Sequence, residues 1–157
     1  MKKLLIFIFA LLFSAGACAA PVEPGQPLPK LSLQDQRDQP WRVEDNTRLV
    51  LFSSGRKASN LVQDVLASQP KDFLATRQAA YLADMSRMPG FITRNIALPT
   101  LRDKPFSVGV VLDEKLLADW PRQTDAVTLI SLQDGKVTAV AYATTEAQVR
   151  AALGLGQ

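Results

Sequence analysis

The feature that most constrains this chain is a strand, a tight polar turn and a helix packed into residues 48–67. Arg48-Leu49-Val50-Leu51-Phe52-Ser53 is a short apolar run of the kind that forms a buried strand, and Ser54-Gly55 breaks it. Ala58, Leu61, Val62, Val65 and Leu66 then recur at i, i+3, i+4, i+7 and i+8, which puts one apolar stripe on a helix. A buried strand feeding an amphipathic helix points to an α/β architecture. The turn between them is a natural place for chemistry, because the first backbone N–H groups of a helix are unpaired and point outward. Here that turn is Ser53-Ser54-Gly55-Arg56-Lys57-Ala58-Ser59, with no cysteine, histidine or carboxylate.

The start of the chain has its own pattern. Met1-Lys2-Lys3 precedes an unbroken apolar run at residues 4–13, and small residues follow around Ala17-Cys18-Ala19. A basic start, a short apolar core and small residues at the cut predict a secretory signal peptide over residues 1–19. The apolar core falls short of the roughly 20 residues a spanning helix needs. Cleavage is expected after Ala19, since a cut after Ala20 would leave Pro21 at the new terminus. The expected address is the periplasm or the exterior. The alternative is a lipoprotein anchored to a membrane through Cys18, which Gly16-Ala17-Cys18 fits and Ala15 fits poorly.

Cys18 is the single cysteine of the 157-residue chain, so residues 20–157 have no thiol for disulfides, zinc binding or thiol catalysis. Histidine is absent, which removes the commonest general base and the commonest metal ligand. Two of the 18 basic residues, Lys2 and Lys3, belong to the leader, and the remainder nearly balances the 15 acidic ones. No block of like charge argues for nucleic acid. Neither a phosphate-binding glycine loop nor a dinucleotide fingerprint is present, so no cofactor is implied.

Along the chain, Pro21, Pro24, Pro27 and Pro29 make residues 20–30 an extended, proline-rich lead-in. Residues 31–33 and 41–43 alternate as a small hairpin, and a single domain is expected over residues 31–155. A helical turn carrying Phe73 and Leu74 follows the first helix. Residues 79–83 form a second strand, a candidate parallel neighbour of the first through a right-handed crossover. Ser86 is expected to cap a second helix with Phe91, Ile92 and Ile96 on one side, ending before Pro99. Residues 106–112 predict a third strand, and residues 116–120 a short helical piece. Residues 126–132 and 136–142 flank Asp134-Gly135, a strong hairpin signal. Thr144 or Thr145 caps a last helix carrying Val149 and Leu153.

This order, a hairpin, β-α-β-α, an antiparallel pair and a final helix, resembles the thioredoxin-like superfamily, in particular its peroxiredoxin and TlpA-like branch. Two stretches carry the resemblance: Pro24-Gly25-Gln26-Pro27 through Leu31-Ser32-Leu33-Gln34-Asp35, and Asp134-Gly135-Lys136-Val137 through Thr145-Glu146-Ala147. It implies a central mixed sheet flanked by helices. Redox members of the superfamily carry cysteine in the turn that corresponds to residues 53–59, and a cis-proline where this chain has Thr124-Asp125. Pro121 lies too far upstream to stand in for it. The oxidoreductase activity of the superfamily is therefore not carried over.

The candidate ligand-binding residues are Ser53, Ser54, Gly55, Arg56, Lys57, Thr124 and Asp125. An anion held by helix N–H groups, Ser53, Ser54 and the two cations is one use of this face; a solvated loop is the plainer one. Met85 with Met88 could line a soft site or simply fill core. Trp41 and Trp120 could mark an interface or pack inside. Asp84, Asp113 and Asp125 lie near strand ends, where a carboxylate pair could do acid–base work or merely end strands. The sequence thus favours an exported, redox-inactive domain that binds a protein or small-molecule partner. The second reading is a non-thiol enzyme, such as a cofactor-dependent oxidoreductase, using the same strand-end crevice.

Overall fold

The computed structural model of the protein describes residues 21–156. The expected signal peptide of residues 1–19 and the expected cleavage residues Ala19 and Ala20, together with Cys18, lie outside the described residues.

Seven strands form one sheet, in the order β2 (Pro40–Trp41), β1 (Leu33–Asp35), β5 (Gly109–Val111), β4 (Ala79–Asp84), β3 (Leu49–Ser53), β6 (Val127–Gln133) and β7 (Lys136–Ala143). At its centre β3 (Leu49–Ser53) runs parallel to β4 (Ala79–Asp84), paired from Leu49 with Ala79 to Ser53 with Ala83. Helix α1 (Arg56–Ala67) makes the crossover. Its stripe buries Ala58, Val62, Val65 and Leu66 against the sheet, each valine or leucine contributing on the order of 1.5–3 kcal/mol. Helix α2 (Phe73–Thr76) buries Phe73 and Leu74 as expected.

The outer strands extend the sheet on both sides. β1 (Leu33–Asp35) pairs antiparallel with β2 (Pro40–Trp41) and with β5 (Gly109–Val111). β6 (Val127–Gln133) lies antiparallel to β3 and forms a hairpin with β7 (Lys136–Ala143). Asp134 and Gly135 both have positive φ, 51° and 77°, as the tight primed turn requires. The proline-rich lead-in runs along this hairpin, with Gly25 N–H donating to Val137 O at 2.8 Å and Leu28 N–H to Gly135 O at 2.9 Å. Helix α5 (Glu146–Ala152) opens on Thr145, which forms a full capping box with Gln148.

Two apolar layers sandwich the sheet. Leu51, Tyr81, Val108 and Val110 face the helices on one side. Val50, Phe52, Leu82, Ile130 and Val137 face Leu117, Trp120 and Val22 on the other.

Four expected elements differ. The first hairpin sits at residues 33–35 and 40–41, because Asp35 Oδ1 accepts from Arg37 N–H at 2.7 Å and Gln39 N–H at 3.0 Å, which makes the turn start there. The third strand is shortened to Gly109–Val111, since the Gln36 side chain takes the Phe106 carbonyl and the Val108 N–H. Residues 116–120 form successive turns rather than a helix, with Leu117 and Trp120 buried.

The second helix is not capped by Ser86 and does not stop before Pro99. It starts as α3 (Gly90–Ile92), widens into a π turn at Thr93–Ala97 and continues as α4 (Leu98–Arg102). A proline in an ordinary helix loses one hydrogen bond and its ring collides with the carbonyl four residues back. The π turn restarts the ladder, so that Pro99 occupies the first turn of α4, where its missing N–H costs little. Phe91 and Ile96 are 71% and 54% exposed, while Thr93 and Leu101 face inward.

Candidate functional site

The β3–α1 turn lies at the C-terminal end of the parallel strands. Gly55 is the N-cap of α1 in extended backbone; it has no side chain to cap the helix, and no acidic residue occupies the first turn. The first N–H groups of α1 therefore have no acceptor within the helix. Because β6 is antiparallel to β3, with Phe52 opposite Thr128, the chain leading into β6 arrives beside this turn. It brings Thr124 and Asp125 to α1. Lys57 Nζ lies 3.5 Å from Asp125 Oδ2. Asp125 has φ 58°, a left-handed conformation that aspartate tolerates better than most residues. The pair is well exposed and worth at most about 1 kcal/mol, so it ties two loops together more than it stabilises the fold.

Ser53 behaves differently from its neighbours. Its hydroxyl is fully buried, sharing hydrogen bonds with Ser59 Oγ at 2.9 Å and Tyr81 Oη at 3.2 Å. It sits beneath the surface residues Gly55, Arg56, Lys57, Thr124 and Asp125, with Ser54 half-buried at their margin. The turn thus rests on a chain of three hydroxyls. Burial raises the Tyr81 pKa above its ordinary 10.0, while hydrogen bonds from Ser53, Ser59 and Gln63 oppose that rise. The unfolded chain loses this proton near pH 10.0, whereas the folded chain holds it to higher pH. Stability linked to Tyr81 is therefore intact below pH 10.0 and falls as pH rises from there through the folded-state pKa, by up to about 1.4 kcal/mol per pH unit. Unfolding titrations of the natural protein and Tyr81→Phe should diverge in that window and run parallel below it; parallel curves throughout would show that the phenol is not held as described.

The three aspartates are held separately rather than paired for acid–base work. Asp125 meets Lys57. Asp113 Oδ1 accepts from Lys115 N–H at 3.0 Å in a turn. Asp84, with its side chain 3% exposed, meets Arg122 Nη1 at 3.2 Å and accepts from Ser86 N–H at 2.9 Å. The Arg122 guanidinium also lies 5.3 Å from the centre of the Phe52 ring and donates to the Leu117 carbonyl. Arg122 thereby fixes the connection that delivers Thr124 and Asp125. Sequence spacing gave no sign of it, since its partner is 38 positions away. Met85 is buried and Met88 half-buried. Trp120 is 5% exposed and packs edge-on to Phe52, with centroids 5.4 Å apart, so it is core. Trp41 is half-buried, its ring against Gly109, where an added Cβ would come within 2.5 Å of it.

A cavity of about 560 Å³ opens at the other end of the sheet, where β4 starts three residues before its first pairing with β5. Trp41, Asn46, Lys71, Leu74 and Ala79 are among its lining residues; none of the seven candidate residues touches it.

No family model matches the chain. No curated protein matches it either. Solved structures do. The peroxidoxin BcpB of Mycobacterium tuberculosis superposes with a TM-score of 0.53 at 16% identity, covering 85% of this chain and 95% of that one. A thio-disulfide isomerase of Thermus thermophilus gives 0.50 at 17% identity, over 87% and 100% of the two chains. A pneumococcal exposed lipoprotein thioredoxin of Streptococcus pneumoniae gives 0.52 at 13%, over 80% and 98%. At such identities the likeness establishes the fold alone: this chain has a thioredoxin-like α/β fold, with no cysteine among its described residues.

Proposed function

We propose that this protein is an exported, redox-inactive thioredoxin-like binding module. Its binding face is formed by Ser54, Gly55, Arg56 and Lys57 at the start of α1, together with Thr124 and Asp125. Ser53 supports that face from below. The observation that carries this reading is the hydroxyl-to-hydroxyl chain of Ser53, Ser59 and Tyr81 beneath the turn, where the resemblance to redox thioredoxin-like proteins would place cysteine. No group in this chain of hydroxyls can cycle between dithiol and disulfide. The uncapped α1 N-terminus and the exposed Arg56 leave the face suited to an acidic or hydrogen-bond-accepting group of a partner. Export rests on the leader pattern of residues 1–19, and the likeness to an exposed lipoprotein thioredoxin is compatible with it.

Thiol–disulfide exchange by the mature protein, followed as reduction of insulin disulfides by dithiothreitol, should proceed at the uncatalysed rate. Catalysed turnover would contradict the redox-inactive half of the reading.

A further inference from the structure

Five large apolar side chains of the described residues are exposed: Phe91, Ile96, Leu112, Leu116 and Tyr142. Four of them fall in two short segments of opposite charge. The first spans residues 85–102, carries Arg87, Arg94 and Arg102 and contains no carboxylate. The second spans residues 112–119 and carries Asp113, Glu114 and Asp119 against a single Lys115. Arg87, Arg94, Asp113, Glu114 and Asp119 are exposed, and none joins an ion pair among the described residues. Isolated surface leucines are ordinary, but exposed apolar groups in a segment with unpaired charge of one sign, matched by a second such segment of the other sign, have the composition of two halves of one contact.

The two halves belong to different layers of the molecule. α4 packs through Leu101 into the layer that contains α1, whereas Leu117 and Trp120 anchor the acidic segment in the opposite layer. Both segments nevertheless leave the same end of the sheet, one after β4 and the other after β5, which run parallel. A two-fold axis placed at that end would set the basic segment of one chain on the acidic segment of another, twice over, and such a contact closes.

We propose that the protein pairs with a second copy of itself through these two patches, with Phe91, Arg94 and Ile96 of one copy against Leu112, Glu114 and Leu116 of the other.

Sedimentation equilibrium of the mature protein at low and moderate salt tests this. The natural protein should form a dimer that weakens as salt rises. Arg94→Glu alone and Glu114→Arg alone should each weaken it at least about tenfold, because each places like charges opposite one another at both contacts. An equimolar mixture of the two variants should regain a dimer of about the original strength, since the introduced glutamate of one chain then meets the introduced arginine of the other, while the second contact keeps its natural pair. Both substitutions are on exposed positions, and circular dichroism checks that each variant is folded. A monomer at every concentration would overturn the proposal, as would a dimer unaffected by the single changes or two weakened variants that fail to recover on mixing. Association restored by a different, acidic protein instead of the mixed variants would likewise overturn it.

Discussion

Replacing Arg122 with leucine is expected to destabilise the protein by about 3 kcal/mol or more, the usual result when one partner of a buried pair is removed. The reason is Asp84, whose side chain is 3% exposed and would be left with only the Ser86 N–H and hydroxyl as partners. Loss of the guanidinium also removes its stacking on Phe52 and its donation to the Leu117 carbonyl. Urea unfolding should show the midpoint falling sharply. Combining Arg122→Leu with Asp84→Asn should recover part of the loss, because an amide is far cheaper to leave unpaired than a carboxylate. If the double variant is as unstable as the sum of the single changes, Asp84 and Arg122 do not act as a pair. The consequence reaches the candidate face, since the same arginine fixes the connection carrying Thr124 and Asp125.

Gln36→Leu is expected to have an effect of similar size through a different cause. Gln36 is fully buried; its Nε2 donates to the carbonyls of Phe106 at 2.6 Å and Leu101 at 3.3 Å, and its Oε1 accepts from Val108 N–H at 3.0 Å. The side chain acts as a stretch of missing strand between β1 and the run into β5. Leucine has a similar bulk but would strand the Phe106 carbonyl and the Val108 N–H, each costing about 1–3 kcal/mol unless water reaches it, whereas the Leu101 carbonyl keeps the Lys104 N–H. Hydrogen exchange should report the change locally, as loss of protection at the Val108 amide before the centre of β3 is affected. Undiminished protection at Val108 would show that the glutamine is not its acceptor.

What the sequence made legible was whatever rests on local periodicity and end signals. The stripe on α1, the parallel β3 and β4, the Asp134-Gly135 turn and the Thr145 cap each follow from a few adjacent residues. What escaped depends on distant partners. β5 is short because a glutamine 72 positions from Val108 occupies its hydrogen bonds. The helix passes through Pro99 because a π turn realigns it, which no propensity signals. Residues 116–120 have a helix-like composition, but Arg122 and the second apolar layer hold them in turns.

The candidate face was legible in the same uneven way. Lys57 and Asp125, 68 positions apart, do meet. Ser53, grouped with them from its place in the turn, points inward because a strand ending in the sheet centre alternates its side chains, and its position faces Tyr81 and the α1 layer. Tyr81 itself lay hidden in an apolar run, where only the need of a buried phenol for a partner could have singled it out.

The measurement that tests the central claim most directly is photo-crosslinking in an exporting bacterial host, with a photoreactive residue placed in turn at Arg56 and Thr124, and at Ala75 and Gln133 as surface controls far from the face. Discrete crosslinked products at Arg56 and Thr124, absent at the controls and lost when Lys57→Glu is added, are the expected result. Crosslinks distributed equally over all four positions, or confined to the controls, would contradict the assignment of the α1 N-terminus and the Thr124-Asp125 loop as the binding face.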